Sequence, residues 1–297
     1  MKKKIIGGAV IGFSALCTFV VVLIIVGLIA AIFIGGKSKL SADFFLTSPS
    51  EGMTAGGIFP AIVGTALLVI VMSIVGVPIG TITAIYLTEY ARQGSIFTRM
   101  IRFAVNTLAG VPAVVFGLFG LGFFVQFLGS GIDRAVGAGT LRWGQPNLLW
   151  ASLTMALLTL PVVIVSVEEA LRAVPKDLRE ASLALGATKF QTILKVVMPK
   201  AMTGVLTGTI LAVGRGAGEV APILFTGVAY FLPHLPQSLS DQFMQLGYHL
   251  YVMATQSSDV EATLGIQYAS AFVLLLLTFI LNLVAVLFRY RMRVKYG

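Results

Sequence analysis

Charge is what this sequence has least of. Only 11% of its 297 residues are charged, while 57% are hydrophobic. Soluble domains carry roughly 25% charged residues, so a water-soluble globular domain is excluded and a chain that crosses a bilayer repeatedly is indicated. Cysteine is nearly absent: Cys17 stands alone in the first apolar stretch. It excludes an intrachain disulfide and a cysteine-only metal cluster, and is read as a packed structural thiol. The two histidines, His234 and His249, fall in what reads as an external loop without carboxylate-rich spacing. No metal site is expected there, and neither histidine supplies a base inside a span for an intramembrane hydrolase. A nucleotide-binding motif is missing as well. Gly36-Lys37-Ser38 imitates the end of a phosphate-binding loop, but the leading glycine that motif needs falls at Ala31. No cofactor is expected in this chain.

What is present is long apolar runs with basic residues beside their ends. Six spans are predicted, over residues 5–35, 58–87, 103–128, 148–167, 204–228 and 269–288. The first follows Lys2, Lys3 and Lys4 and is about twice the length of a signal-peptide core of roughly 7–15 residues, so it is read as uncleaved. Sixteen Lys and Arg fall in the N-terminus, the loops after the second and fourth spans, and the tail; four fall on the opposite side. The positive-inside rule then puts both termini in the cytoplasm. The net charge of +9 reflects this topology rather than a basic face for nucleic acid, so no nucleic-acid partner is expected. The fold class is all-α. Residues 1–57 are the first helix and an external linker, 58–288 the main helical body, and 289–297 a basic cytoplasmic tail.

Between the fourth and fifth spans lies Glu180–Pro199, too charged to cross a bilayer. Pro175 suits a helix start, Gly186 a turn, and Thr188 with Gln191 has capping-box spacing. Pro199 is read as closing the stretch. Leu183, Leu185, Phe190, Ile193, Leu194 and Val197 would give this helix–turn–helix an apolar docking face. Glu168 and Glu169, ending the fourth span, are read as a solvated helix end.

Arg215 and Glu219 are the charges expected inside a span, on one face of a helix and flanked by Gly214, Gly216 and Gly218. A fifth span starting near Gly204 would place Arg215 about 17 Å deep, near mid-membrane. An isolated arginine there costs at least about 2.5–3.5 kcal/mol, so it needs a partner or a hydrated cavity. Two readings stand: a neutralised pair that joins helices, or an arginine lining an anion pathway, held by Glu219.

The Glu180–Pro199 stretch resembles the cytoplasmic loop of permease subunits of binding-protein-dependent ABC importers. That loop reads Glu-Ala-Ala, three residues, Gly, nine residues, Ile-x-Leu-Pro. Here Glu180-Ala181-Ser182 leads to Gly186 and then Val196-Val197-Met198-Pro199, with Ser182, Val196 and Met198 as the departures. The resemblance implies a MetI-like type I permease core over 58–288, with residues 175–200 coupling it to an ATPase through Glu180, Ala181, Gly186 and Pro199. The stretches VEEALRAVPKDLREASLALGATKFQTI (167–193), GRGAGEVAPILFTG (214–227), YLTEYA (86–91) and LAGVPAVVFGLFGLGFF (108–124) are similar to the PstA-type permeases of phosphate importers. That similarity implies a PstC-like second permease, a PstB-like ATPase dimer binding ATP and Mg, a PstS-like external binding protein, inorganic phosphate as cargo, and the cell membrane of a prokaryote. The chain itself would be a transporter subunit, not an enzyme. Another oxyanion (molybdate, sulfate or phosphonate) is an alternative cargo. A channel working without an ATPase would leave the docking stretch unexplained.

Overall fold

The computed structural model describes residues 2–92, 94–137, 141–257 and 259–296; the side chains of residues 1–6, 9 and 292–297, among them Lys2, Lys3, Lys4, Arg293 and Lys295, lie outside the described set. Among the described residues six helices are long and apolar enough to cross a membrane: Val10–Gly36, Phe59–Tyr90, Ala113–Val136, Leu148–Ala173, Lys189–Gly218 and Val260–Arg291. Helices meet the bilayer's demand that every backbone N–H and C=O find an internal partner. At about 1.5 Å per residue, each of these runs covers a hydrocarbon core of about 30 Å.

The chain divides into two compact units. The first holds residues 1–58 and 250–273. Helix α1 (Lys2–Gly36) is largely exposed along its length, and Cys17 with it, so this thiol is not packed as expected. At its C-terminal end Gly35 and Gly36 abut Tyr268 and Ala269 of α12 (Val260–Tyr296), and Phe33 meets Phe272 at 5.2 Å between ring centroids. A short helix α2 (Ala42–Leu46), capped by the Ser41 hydroxyl accepting from Phe44 N–H, precedes a two-residue hairpin of β1 (Pro49–Ser50) and β2 (Ala55–Gly56).

The second unit, 59–249 and 274–297, holds the main core. Helices α3 (Phe59–Ile85, continued by a wide turn over Tyr86–Tyr90), α7 (Leu148–Ala173) and α10 (Met198–Gly218) pack together. Leu68, Met72, Met155, Val213 and Phe243 fill one end; Leu87, Val163, Ile164, Leu171 and Val197 fill the other. Between α3 and α7 lie α4 (Ile96–Ala109), α5 (Ala113–Phe119) and α6 (Ser130–Val136), the last two joined by a wide-turn stretch over Gly120–Gly129. Helices α8 (Lys176–Ala184) and α9 (Lys189–Thr192) precede α10, and α11 (Leu246–Gln256) precedes α12.

The structure departs from the predicted spans in several places. The sixth long helix runs Val260–Arg291 rather than 269–288. The third span starts at Ala113, not 103, because Gly110, Val111 and Pro112 end α4 as a separate amphipathic helix. Asp133 and Arg134, beyond the end of the predicted third span at 128, sit in α6, where Asp133 accepts from the backbone N–H groups of Trp143 and Gly144 at 3.0 and 2.7 Å. The fifth long helix runs Lys189–Gly218 rather than 204–228. The expected loop around His249 is partly helical: His249 lies in α11 and is buried.

Close approach at the core depends on Gly64, where a Cβ would collide with the Met244 carbonyl oxygen. Next to it the Thr65 hydroxyl accepts from Leu246 N–H at 2.9 Å, fixing that loop against α3. Gly64→Ala should lower the thermal stability of the detergent-solubilised protein by about 1–3 kcal/mol, the usual cost of overpacking. Gly122→Ala, which meets nothing within 4 Å, should leave the melting temperature unchanged.

Candidate functional site

The Glu180–Pro199 stretch forms a pre-shaped turn. Helix α8 starts after Pro175, which stands at its N-cap with φ −56°, within the range the pyrrolidine ring imposes. It ends where Gly186 takes φ +84°, with Gly186 N–H donating to Leu183 O at 2.9 Å and Ala187 N–H to Ser182 O at 3.2 Å. This pair of bonds is the Schellman termination, which favours glycine at that position. Both halves of the expected capping box are present: Thr188 N–H donates to Gln191 Oε1 at 2.8 Å, and Gln191 N–H to Thr188 Oγ1 at 3.2 Å. A 2.9 Å hydrogen bond between the Ser182 and Thr192 hydroxyls ties the two short helices together.

Pro199 does not close this element. The chain passes from α9 through a wide turn over Ile193–Val197 directly into α10, with Pro199 in its first turn. A proline ring conflicts with the carbonyl four residues back in a regular helix; a widened turn just before it relieves that conflict. One continuous rod therefore joins the docking turn to the body of the unit.

The anticipated apolar face is divided. Ile193 and Val197 are buried against the core, whereas Leu183, Leu185, Phe190 and Leu194 project outward, Leu185 at 90% and Phe190 at 65% exposure. Glu180, Ala181 and Gly186 are exposed beside them. Apolar side chains this exposed around a rigid turn mark an interaction surface.

The residues that hold the turn in place were not anticipated. Arg179 pairs with Glu89 at 2.8 Å and donates to the carbonyls of Leu171 and Val174 at 2.7 and 2.6 Å. It thereby adds donors to the carbonyls at the end of α7 while gripping the end of α3. Glu168 is buried rather than solvated, shared by Arg102 at 3.0 Å and Arg172 at 3.3 Å; Glu169 is exposed as expected. The available signal was a carboxylate at the end of each of two apolar runs, each needing a cation once buried.

Arg215 and Glu219 do meet, Nε to Oε1 at 3.5 Å, with side chains 41% and 28% exposed. Glu219 is not helical: it caps α10 with an extended backbone (ψ 132°), so Arg215 lies three residues from the helix end and not near its middle. Gln245 Nε2 donates to Ala217 O at 3.1 Å, satisfying one of the open carbonyls there. Among the described residues no cluster of three or more His, Cys, Asp or Glu is placed to hold a metal ion.

At the opposite end of the unit a cavity of about 560 Å³ is bordered by Arg142, His234 and Asp241. Asp241 accepts from the backbone N–H groups of Gln237 and Ser238 at 2.8 and 2.9 Å and from the Ser238 hydroxyl at 2.9 Å. These bonds, led by that of Gln237, hold its carboxyl below the ordinary value of 3.8.

Two predictions test this geometry. Gly186→Val forces a β-branched residue into a left-handed conformation at about 1–2 kcal/mol. Local opening should rise roughly 5–30-fold, read as faster tryptic cleavage after Lys189, with Gly122→Ala as an unchanged control. Asp241, its pKa depressed by folding, contributes stability that is present above pH 3.8 and lost as pH falls through its lower folded value. Asp241→Asn should therefore melt below the wild type at neutral pH, and the gap should shrink on acidification below that value.

Comparison with known proteins agrees with this geometry. The sequence model of the family described as "Binding-protein-dependent transport system inner membrane component" matches residues 76–294. The "Probable ABC transporter permease protein YqgI" of Bacillus subtilis (strain 168) is 34% identical over 226 residues, covering 76% of this chain and 72% of that one. The "Phosphate transport system permease protein PstA" of Mycobacterium leprae is 40% identical over 170 residues, 57% of this chain; the chain spans only 51% of that relative's length. The protein of the same name from Haemophilus influenzae is 35% identical over 195 residues, 65% of this chain and 63% of its own. Among solved structures, a bacterial alginate ABC transporter chain superposes with a TM-score of 0.63 at 16% identity, covering 94% of this chain and 92% of that one. A chain of the MetNI methionine ABC transporter gives 0.53 at 18% identity over 80% and 94%; these two show the fold alone. By its family model and its Bacillus relative, the chain belongs to the inner-membrane components of binding-protein-dependent ABC transport systems.

Proposed function

We propose that this chain is the membrane subunit of an ATP-driven importer of inorganic phosphate. The reading is carried by the 40% and 35% identity to permeases named for phosphate transport. The chain holds no nucleotide-binding motif, so the energy comes from a separate ATPase dimer of PstB type. A second permease of PstC type completes the pathway, and an external PstS-type protein delivers the anion.

The ATPase receives Leu185, Phe190 and the exposed Glu180–Gly186 turn in a cleft. Closure of the two ATPase subunits displaces the turn, which is stiffened by its caps and by Arg179. Because α9 runs without a break into α10, that displacement travels along the rod to Arg215. This is a rigid-body lever, one of the ways a local push becomes a distant rearrangement.

Arg215 offers the anion a planar fork that stays charged at every physiological pH. Glu219 competes with the anion for that fork and keeps the site from becoming a trap. The partial exposure of both side chains supports contact with a hydrated path over simple helix cement.

Arg215→Ala should reduce radiolabelled phosphate uptake about 10–100-fold, since a charge-assisted hydrogen bond is worth about 1.5–3 kcal/mol. The purified complex should still assemble. Glu219→Gln should lower the maximal rate while tightening apparent phosphate affinity. Unchanged uptake in both variants would overturn the pathway role. Preferential uptake of molybdate or sulfate by the wild type would overturn phosphate as cargo.

A further inference from the structure

The separate helix α4 has three faces. Ile101 and Val105 pack on the core. Ile96, Phe97, Met100 and Phe103 form an exposed strip of large apolar side chains at helical spacing, 60–75% exposed, with Phe97 edge-on to the Tyr86 ring. Thr98, Arg99 and Arg102 face a cavity of about 890 Å³ that also takes in Thr88, Arg172 and Lys176. At about 100° per residue, Arg99 stands between the cavity face and the apolar face.

Two features of this cavity mark it as a ligand site. Thr98 is only 6% exposed, yet its hydroxyl has no hydrogen-bond partner, and neither does the buried hydroxyl of Thr88. A buried hydroxyl left unpaired costs about 1–3 kcal/mol. The lining charge is the second feature: Arg99, Arg102, Arg172, Lys176 and Arg179 against Glu89 and Glu180. Glu168 and Glu89 engage three of the arginines; no ion pair engages Arg99 or Lys176 among the described residues.

Hydroxyl donors beside guanidinium groups are a receptor for a phosphate oxyanion. A free phosphate ion would need no apolar neighbour. The exposed strip of α4 beside the cavity is that of a helix lying in a membrane interface, and the positive-inside bias puts it in the cytoplasmic leaflet. We propose that the cavity beside α4 binds the phosphate headgroup of an anionic phospholipid, with its acyl chains along Ile96, Phe97, Met100 and Phe103. Thr88 and Thr98 donate to the phosphate oxygens, and Arg99 and Lys176 supply unpaired positive charge. Arg179 and Glu89 line the same cavity, so an occupied site braces the anchor of the docking turn.

The test uses the full-length protein, in its transporter complex where one forms, in nanodiscs of phosphatidylcholine with or without phosphatidylglycerol. Native mass spectrometry after gentle detergent release should show phosphatidylglycerol retained by the wild type. Retention should fall about tenfold or more in Thr98→Val and in Arg99→Gln, and return in Thr98→Ser. Arg99 is exposed, so its variant keeps the test decisive if Thr98→Val fails to fold. Equal retention in wild type and Arg99→Gln overturns the proposal. So does displacement of phosphatidylglycerol by millimolar inorganic phosphate, which would make the occupant a free anion. Phosphate uptake is not the readout, so either result leaves the import reading as it stands.

Discussion

Arg179 and Glu89 meet 2.8 Å apart at the rim of an apolar bundle, with only 19% and 10% of their side chains exposed. Neither charge is tolerable there alone, and together they decide where the docking turn sits. The guanidinium also takes the carbonyls of Leu171 and Val174, so a single side chain joins the ends of α3 and α7 to the first turn of α8. Remove it and Glu89 loses its ion-pair partner while the Leu171 and Val174 carbonyls each lose a donor. The turn's internal order, from the Gly186 termination and the Thr188 cap, would survive, but its placement on the core would not.

A second constraint lies in the passage from α9 to α10. Pro199 reads as a terminator, and in a regular helix it would end or kink the run. The widened turn over Ile193–Val197 absorbs the ring and keeps the rod whole. Wide turns of this kind recur at functional positions in helices, and two others occur here, over Tyr86–Tyr90 and Gly120–Gly129. The first of these carries Glu89, so both sides of the docking turn are held by the same type of backbone irregularity.

The lever reading and the lipid reading converge on this region. The exposed apolar residues of the turn face outward, while the basic cavity behind it is closed by α4 and the base of α8. A headgroup seated in that cavity would lie against the anchor, and Glu180, which lines the cavity and also belongs to the docking turn, would be shared between lipid and partner.

Span number and the docking turn were legible in the sequence because hydropathy, capping chemistry and glycine's freedom at positive φ are local properties. Gly186, Thr188 and Gln191 needed no distant partner to be read correctly. Span boundaries were less legible. The predicted third span absorbs part of α4 because Phe103, Val105 and Leu108 are apolar, and only their three-dimensional neighbours reveal which of them face a core. The Arg215–Glu219 pair was visible by spacing, but the extended backbone at Glu219 depends on Gln245 and its loop, 26 residues away in sequence. Thus the chain's own residues settled that this is a six-helix membrane protein with a preformed bend between its fourth and fifth long helices. Tertiary structure alone decided which charges are buried together, because Glu89, Glu168, Arg102 and Arg179 acquire partners only when helices distant in sequence pack side by side.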